Sequence, residues 1–402
     1  MFANQRQGDF SFTMFAIFSS ARKITRAAAA FSFAALVAAC VPTTSGGPSI
    51  DTSKPVQVAL LVPMGSGQGG DAILAQSLEN AARLAIGDLT NVQIDLRVYD
   101  TQGSAQTAAA VATQAVDEGA RIILGPVYGE AANAAGLAVR NRNVNLLSFS
   151  NNATIAGGNL FILGPTFNNT ADRLSTFATK QGRGDAVIVY GNDISGQLGK
   201  GAIEQASLGG GTNIVGAVQY DLSQQGVINA IPNIKAQVES AGATSVFLTA
   251  TTAGALPLLT QLLPEAGVDP ATVQYIGLTR WDVPAQTLEL PGVQGGWFAL
   301  PDPVMAQRFR ERYQTAYSSA PHAIGGLAYD GIAAIGALVG AGKSDALTGA
   351  ALTQAAGFQG VGGIFRLLPD GTNQRGLAVA TIQDRQVVVI DPAPSTFAGA
   401  GF

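Results

Sequence analysis

The sequence contains very few of the cysteine and histidine residues that enzymes most often use for catalysis. Cys40 is the only cysteine in 402 residues, and His322 is the only histidine. One thiol cannot form an intramolecular disulfide, so a packed core has to stabilise the chain. A histidine-based metal site or a Ser-His-Asp triad would need His322, whose neighbours Pro321 and Ala323 supply no second ligand. We therefore interpret His322 as a surface loop residue and predict a non-catalytic protein without cofactor or metal.

Charge and long apolar runs are also sparse. Charged residues make up 12% of the sequence and the net charge is −4. No Lys/Arg cluster recurs beyond the N-terminal segment, which argues against a nucleic-acid partner. No later apolar run approaches the ~18 residues of a membrane-spanning helix. Hydrophobic residues make up 47% of the sequence, which is enough to form large buried cores. The chain length of 402 residues favours two domains.

The N-terminal segment has the pattern of an export signal. Arg22, Lys23 and Arg26 precede an apolar run over residues 27–39 that is interrupted only by a serine. This run fits the core of a secretory signal and is too short to span a bilayer. It ends in Val-Ala-Ala-Cys, which resembles the bacterial lipobox and implies that Cys40 is acylated and anchored in a membrane. Ordinary signal cleavage with an incidental thiol is the alternative.

The segments after the signal predict a tether followed by two lobes. Residues 40–55 are polar and rich in Gly, Pro, Ser and Thr, so we predict a flexible tether after a signal peptide over residues 1–39. From Val56 onward, short β-branched runs alternate with helical periodicity. This rhythm predicts an α/β fold with two doubly wound parallel-sheet lobes.

The predicted lobes exchange segments through a hinge with several crossings. Near Pro165, Pro301 and Gly342 we expect the backbone to absorb hinge motion. A short helix is predicted over residues 347–356, and two antiparallel strands over 377–382 and 386–390. The predicted boundaries are 56–165 and 303–342 for lobe I, 166–302 and 343–392 for lobe II, and 393–402 for a C-terminal tail.

Several motifs carry a family resemblance. A Gly/Ser loop over residues 64–70 follows the first strand, Asp100-Thr101 ends the second, and Leu124-Gly125-Pro126 precedes Tyr128. In this order they resemble the first lobe of the Leu/Ile/Val-binding family of bacterial periplasmic receptors. The segments GLTRWDVPAQTLELPGVQGGWFALPDP and GVGGIFRLLPDGTNQRGLAVATI are similar to a lipoprotein branch of that family, the penicillin-binding protein activators. The resemblance covers nearly the whole exported chain and implies the type I periplasmic binding protein fold.

Candidate ligand-binding residues follow from the chemistry of parallel sheets, where ligands lie outside the carboxyl ends of the strands. Loop N–H groups and hydroxyls at that edge suit a carboxylate. The resemblance implies that Tyr128 and the segment 148–152 hold it. The candidates in lobe I are Ser66, Tyr128, Ser148, Ser150, Asn151 and Asn152. The candidates in lobe II are Asp193, Thr251, Arg280, Trp281 and Asp282.

Lobe II departs from the amino-acid receptors that it resembles. Ile194 stands where the family often has tyrosine, and Thr279 or Arg280 stands where an acid for the ligand ammonium is common. Asp193 and Asp282 could replace that acid, although an aspartate after a strand more often caps a helix. Asp71 is likewise available as a helix cap.

Two further patterns have alternative interpretations. The loop Gly65-Ser66-Gly67-Gln68-Gly69-Gly70 fits the dinucleotide fingerprint, but Asp100 lies about 30 residues beyond it where roughly 20 are expected. The glycines then serve a tight turn. Trp281 lies in a polar loop and is the better cleft candidate, whereas Trp297 lies in an apolar strand and is predicted to be core.

Two functions follow as expectations. The first is a lipid-anchored periplasmic receptor that captures an amino acid or a similar small polar ligand for a membrane permease of the ABC type. The second is a non-catalytic activator of a penicillin-binding protein, that is, a regulator of a cell-wall synthase through protein contact. An NAD-dependent enzyme is a distant third.

Overall fold

Apolar strands buried on both faces form the centre of the molecule. In the computed structural model, which describes residues 46–397, strand β1 (Val56–Val62) has every residue except Gln57 buried. Helices cover both faces of its sheet, and this is why β1 is a continuous apolar run rather than an alternating one. The structure confirms the predicted α/β class with parallel-sheet lobes.

The first sheet is entirely parallel, in the order β2-β1-β3-β4-β5. Its other strands are β2 (Ile94–Asp100), β3 (Ile122–Leu124), β4 (Asn145–Ser148) and β5 (Leu160–Ile162), and its connecting helices are α1 (Asp71–Asp88), α2 (Ala105–Asp117) and α3 (Gly129–Val139). Alanines of α2 and α3 pack on one face, while Leu74 and Leu78 of α1 pack on the other. Strand β5 was not predicted from the sequence.

The second sheet has seven strands, in the order β15-β14-β10-β9-β8-β6-β7. Its first five strands are β6 (Asp185–Gly191), β7 (Asn213–Tyr220), β8 (Ser245–Leu248), β9 (Gln274–Gly277) and β10 (Trp297–Pro301), and its helices are α4 (Phe167–Lys180), α5 (Ile194–Leu208), α6 (Gln224–Ala241) and α7 (Leu256–Glu265). These five strands pair in parallel with one another. The carboxyl ends of β6, β8 and β9 therefore lie at one edge.

The chain then returns to the first lobe before its last two strands. The intervening elements are α8 (Pro303–Tyr317), α9 (Gly326–Gly340), α10 (Gly349–Leu352), β11 (Phe358–Gly360), β12 (Gly363–Leu367) and β13 (Asn373–Arg375). Strands β14 (Leu377–Gln383) and β15 (Gln386–Asp391) complete the second sheet as an antiparallel pair, as predicted.

The predicted lobe assignment of residues 343–392 is wrong for their first part. Leu347, Leu352, Phe365 and Leu367 belong to the hydrophobic cluster of the first sheet, together with α1 and α9. Only β14 and β15 join the second sheet. The third crossing between lobes is therefore at Gly376, not near Gly342, and the helix predicted over residues 347–356 is only four residues long.

The predicted tether is also too long. Ile50 is buried in the first-lobe cluster, and its N–H donates to the carbonyl of Ser344 at 2.9 Å. Asn143 and Asn145 donate to the carbonyls of Gly47 and Gly46 at 2.7 and 3.1 Å. Residues 46–55 are thus part of the lobe. The signal peptide, Cys40 and the rest of the predicted tether lie outside the described residues.

Buried polar side chains join the crossings between the lobes. The Asn373 amide donates to the carbonyls of Ile162 and Gly164 at 2.8 and 2.9 Å, where the chain leaves β5. Asn169 of α4 donates to the Asn373 carbonyl at 2.9 Å. Arg173, also on α4, donates to the Leu377 carbonyl at 2.7 Å. The hinge is therefore held by hydrogen bonds to backbone from both lobes.

An ion pair lies at the centre of this network. Arg375 contacts the Asp330 carboxylate at 3.1 Å, and Arg375 also donates to the Leu163 carbonyl. Asp330 additionally accepts from the Val361 N–H at 2.8 Å. Burial raises the pKa of Asp330, and Arg375 opposes that rise. Removing either partner would leave the other charge unpaired in a buried position, which would destabilise the folded state.

Candidate functional site

The strand ends of both lobes border one open cavity of about 750 Å³. It is lined by the loop after β4, the crossing into α4, and the loop after β6 with the first turn of α5. The lining residues are Asn151, Asn152, Ala153, Thr154, Thr166, Phe167, Asn168, Asn192, Asp193, Ile194, Ser195 and Leu198. Both lobes and the hinge contribute to it. Its volume is within the range of small-molecule sites in proteins, about 300–1,000 Å³.

Three of the predicted binding residues line this cavity, namely Asn151, Asn152 and Asp193. The crossing residues that line the cavity were not predicted from the sequence; of these, Phe167 and Asn168 lie in the first turn of α4. A signal for them existed: Thr166 and Asn169 form a capping box, which fixes where α4 begins. The residues between them had to lie at a helix start beside the hinge.

Two hydroxyls of the first lobe point at one internal carboxylate. Tyr128 donates to Asp71 Oδ1 at 2.6 Å, and Ser66 donates to Asp71 Oδ2 at 2.6 Å. Asp71 is 6% exposed. The hydrogen bond to Asp71 is the main cause that raises the pKa of Tyr128 to about 12. The expected capping role of Asp71 is wrong, because Gly70 occupies the cap position and no side chain caps α1.

The loop after β4 is stabilised by its own hydroxyls. Ser148 donates to the Pro126 carbonyl at 3.0 Å and accepts from the Ser150 N–H at 3.0 Å. Ser150 accepts from the Asn152 N–H at 3.1 Å, and Asn152 accepts from the Thr154 N–H at 3.0 Å. Ser148 is completely buried and Ser150 is 5% exposed. Ser148 and Ser150, which were predicted to contact ligand, therefore stabilise the conformation of the loop. Asn151 and Asn152, in the same loop, line the cavity.

The neighbouring loop after β3 requires a glycine. Gly125 has φ of +86°, and a Cβ placed there would lie 2.3 Å from the Leu61 carbonyl oxygen. Only glycine fits this backbone without displacing β1. The Gly-Pro pair of the sequence motif thus brings Tyr128 to its position beside Asp71.

In the second lobe, Asp193 and Ile194 begin α5. Asp193 caps the helix by accepting from the Gly196 N–H at 2.9 Å. Ile194 is 81% exposed, and Leu198 one turn later is 44% exposed. Both line the cavity. Ile194, at the position where the family that the chain resembles often has an aromatic ring, therefore exposes an aliphatic side chain instead.

The remaining second-lobe candidates lie outside the residues that line the cavity. Thr251 is exposed, and its carbonyl accepts from the Gly254 N–H at 3.0 Å. Arg280 donates to Asp282 Oδ1 at 2.8 Å and makes a second contact to Oδ2. The charge of Arg280 is thus paired within its own loop.

The cleft prediction for Trp281 is wrong, and the core prediction for Trp297 is confirmed only in part. Trp281 is completely buried in the second-lobe core, stacked on Phe298 with ring centroids 6.5 Å apart. Gly277 and Gly296 make room for its indole, because a Cβ on either would lie within 2.2 Å of it. Trp297 is instead partly exposed at the edge of a cluster and meets Phe177 edge-on at 4.9 Å.

The dinucleotide pattern has a structural role. Asp100 accepts from the Gly65 N–H at 3.0 Å and from the Gln102 N–H at 2.8 Å, so its carboxylate fastens the glycine loop. Among residues 46–397, no group of three or more His, Cys, Asp or Glu side chains could hold a metal ion. Within the same range, no helix is long and apolar enough to cross a membrane.

Comparisons with known proteins agree with this architecture. A family model described as periplasmic binding protein matches residues 55–386. Among curated proteins, an uncharacterized protein of Rickettsia prowazekii is 25% identical over 111 residues, which are 28% of this chain and 29% of that protein. The chain thus matches less than a third of that relative's length.

Solved structures share the fold. A branched chain amino acid ABC transporter periplasmic ligand-binding protein from Burkholderia xenovorans is similar with a TM-score of 0.65 at 18% identity, over 86% of this chain and 97% of that one. An ABC transporter substrate-binding protein from Desulfitobacterium hafniense in complex with Leu has a TM-score of 0.61 at 17% identity, over 84% and 100%. A solute binding protein of an ABC transporter from Rhodopseudomonas palustris, in complex with 3,4-dihydroxybenzoic acid, has a TM-score of 0.55 at 17% identity, over 85% of this chain and 98% of that one.

Proposed function

Because this chain belongs to the periplasmic binding protein family, we propose that it is a non-catalytic, lipid-anchored periplasmic solute-binding protein. In this role it captures an amino acid or a similar small polar ligand and delivers it to an ABC-type permease. The observation that carries the proposal is the cavity between the lobes, which both lobes and the hinge line. Similar structures with Leu or 3,4-dihydroxybenzoic acid bound support a small organic solute.

The surface of the cavity also supports a ligand with an apolar part. Ile194 and Leu198 expose aliphatic side chains into it, beside the amides of Asn151 and Asn168. Ligand sites combine apolar walls with a few polar groups that fix orientation. A small solute with both characters would fill this surface.

A thermal-shift screen of the exported chain against amino acids, their derivatives and small aromatic acids tests the proposal. A ligand that binds only the folded state raises the melting temperature by mass action. The matched variants are Ile194→Ser and Leu208→Ser, at opposite ends of α5 and 81% and 80% exposed. We expect Ile194→Ser to weaken binding several-fold and Leu208→Ser to leave it unchanged. An equal effect of both would contradict a site in the cavity.

The lipid anchor has its own test. Replacing Cys40 with Ser removes the only thiol, so the protein should remain an unprocessed precursor or become a soluble mature form. Membrane fractionation with detergent extraction and the mass of the N-terminal peptide measure this. A Cys40→Ser protein that is processed normally and still partitions with membranes would contradict the anchor.

A second function is favoured by the internally bonded hydroxyls. Ser66, Tyr128 and Ser148 all donate within the protein, which leaves fewer groups for a ligand. This supports activation of a penicillin-binding protein through surface contact as the alternative. Pull-down of a cell-wall synthase, together with no thermal shift across the panel, would favour it over solute capture.

A further inference from the structure

The cavity between the lobes combines two kinds of surface. Its large apolar side chains all come from the second lobe, and they are Phe167, Ile194 and Leu198. The loop after β4 in the first lobe adds the amides of Asn151 and Asn152. A ligand that fills the cavity therefore contacts apolar surface and amide groups at the same time.

Asparagine is the most frequent residue in the lining. The four asparagines are Asn151, Asn152, Asn168 and Asn192. Asn152 Oδ1 already accepts from the Thr154 N–H and hydroxyl at 3.0 and 2.7 Å, which leaves the amide N–H groups of Asn152. Asn192 donates to Asp221 at 2.7 Å, which leaves its carbonyl oxygen. Within residues 46–397, the amides of Asn151 and Asn168 have no hydrogen-bond partner, so a donor and an acceptor remain on each.

A side-chain amide holds its acceptor and its donors side by side, and a hydroxyl group both donates and accepts. Two hydroxyls on adjacent carbons therefore match both atoms of one amide, since one can donate to Oδ1 while the other accepts from Nδ2. A carboxylate can only accept hydrogen bonds and an ammonium group can only donate them. Each of these charged groups would use one side of an amide alone.

The lining also lacks a cation. Among the described lining residues, Asp193 is the one ionisable side chain, and its carboxylate already accepts from the Gly196 N–H at 2.9 Å at the start of α5. The start of α4 is likewise capped, by Thr166 and Asn169. A ligand carboxylate enclosed here would lose water and find no cation, which is costly. An ammonium group would find only the carboxylate of Asp193, which already caps a helix. An uncharged ligand avoids both difficulties.

We propose that the ligand of this cavity is an uncharged ring with hydroxyls on adjacent carbons, as in a sugar or a catechol. The hydroxyls bind the amides of Asn151 and Asn168. A face of the ring packs on the apolar side chains, which are Phe167, Ile194 and Leu198. Such a ring carries polar groups at its edge and apolar surface on its faces, which is the combination that the lining offers. The inference rests on the solute-binding function proposed above and narrows its ligand class.

Two pairs of probes test the adjacent hydroxyls and distinguish the two sources. Catechol and resorcinol differ only in whether their two hydroxyls are adjacent, and methyl glucoside differs from its 3-deoxy derivative in the hydroxyl that makes the others adjacent. Isothermal titration of the exported chain should show one pair in which the member with adjacent hydroxyls binds about tenfold tighter, as expected for one hydrogen bond. The pair that responds identifies the ring as aromatic or as a sugar. Equal binding within both pairs would overturn the inference.

Leucine, as a charged probe, separates the ligand class from the function on which it rests. Binding of leucine without binding of any ring would overturn the inference and still support solute capture between the lobes. Binding of neither leucine nor any ring would also overturn it, and the broader thermal-shift panel would then decide solute capture on its own.

Matched variants test the amides. Asn151→Asp and Asn168→Asp keep the size of the side chain but replace its N–H donors with an acceptor, so the responding ring should bind about tenfold more weakly. Asn229→Asp makes the same change on the exposed face of α6, outside the cavity lining, and should leave binding unchanged. An equal effect of all three variants would overturn the role of the amides. Thermal denaturation checks that each variant folds, and if a cavity variant does not fold, the other variant and the probe pairs decide.

Discussion

The hinge and the cavity adjoin at the crossing from β5 into α4, yet their polar side chains are bonded in opposite ways. At the hinge, the buried Asn373 donates to backbone carbonyls, and the buried Asp330 pairs with the half-buried Arg375. In the cavity, Asn168 and Ser195 line an open surface beside Ile194, which is 81% exposed. Apart from Asn373 Oδ1 and Arg375 Nε, which are buried without a partner, these hinge groups are bonded within the protein, whereas the cavity has exposed surface that a ligand can bury.

Because of this difference, we expect hinge residues to determine stability and cavity residues to determine binding. Removing a buried, bonded group leaves its partners unsatisfied, which is costly. Removing an exposed group usually changes stability by less than about 0.5 kcal/mol. Variants that remove a bonded hinge group should therefore destabilise the protein, whereas variants in the cavity should alter binding alone.

The largest effect is expected from breaking the buried ion pair. Arg375→Met leaves the Asp330 carboxylate, which is 2% exposed, without its cation, and the free energy of unfolding should fall by about 3–5 kcal/mol. Chemical denaturation measures this, with Arg308→Met on the exposed face of α8 as a control. Adding Asp330→Asn to Arg375→Met should recover part of the loss. A loss below about 1 kcal/mol would show that the pair contributes nothing to the hinge.

A smaller loss is expected from the hinge amide. Asn373→Ala removes the donors to the Ile162 and Gly164 carbonyls, and leaving buried acceptors unpaired should cost about 2–3 kcal/mol. The exposed Asn229→Ala is the matched control, and denaturation curves compare the two. If both variants behave alike, the crossing is not held by Asn373.

The smallest hinge effect concerns pH. Asp172 lines a small hollow together with Arg173 and Arg375, and burial raises the pKa of its carboxyl to about 6 from an ordinary 3.8. The folded state therefore binds the proton more tightly than the unfolded state, so stability falls as pH rises between about 4 and 6.

Asp172→Asn should remove this slope. At pH 7.5 it should be more stable than the native chain by about 1–2 kcal/mol, after allowance for partial exposure. Melting temperatures from pH 4 to 8 test it. Parallel pH profiles for the two proteins would contradict an unfavourable buried charge at Asp172.

Much of the fold could be predicted because its cause is local. β1 is apolar throughout since helices cover both faces, and α1 shows its buried leucines at helical spacing. The lobe against which a later segment packs is not determined by the local sequence. Leu347 and Phe365 reach the first-lobe core through contacts with residues far away in sequence, and nothing in their own neighbourhood specifies that.

The site was harder to predict for the same reason. The predicted loops after β4 and β6 line the cavity, but Asp71 and Tyr128 are 57 residues apart and their hydrogen bond is visible only in three dimensions. Trp281 was misplaced because its loop is polar, while the space for its ring comes from Gly277 and Gly296. Asn151 and Asn152 were the easier case, since they directly follow a strand that ends at the cavity.

The central claim is that two lobes close on a solute held between them, and small-angle X-ray scattering tests it most directly. The exported chain would be measured alone and saturated with the solute that gives the largest thermal shift. Closure about the crossings near Pro165, Pro301 and Gly376 should reduce the radius of gyration. An unchanged radius of gyration at saturation, with calorimetry confirming that the solute is bound, would contradict the account.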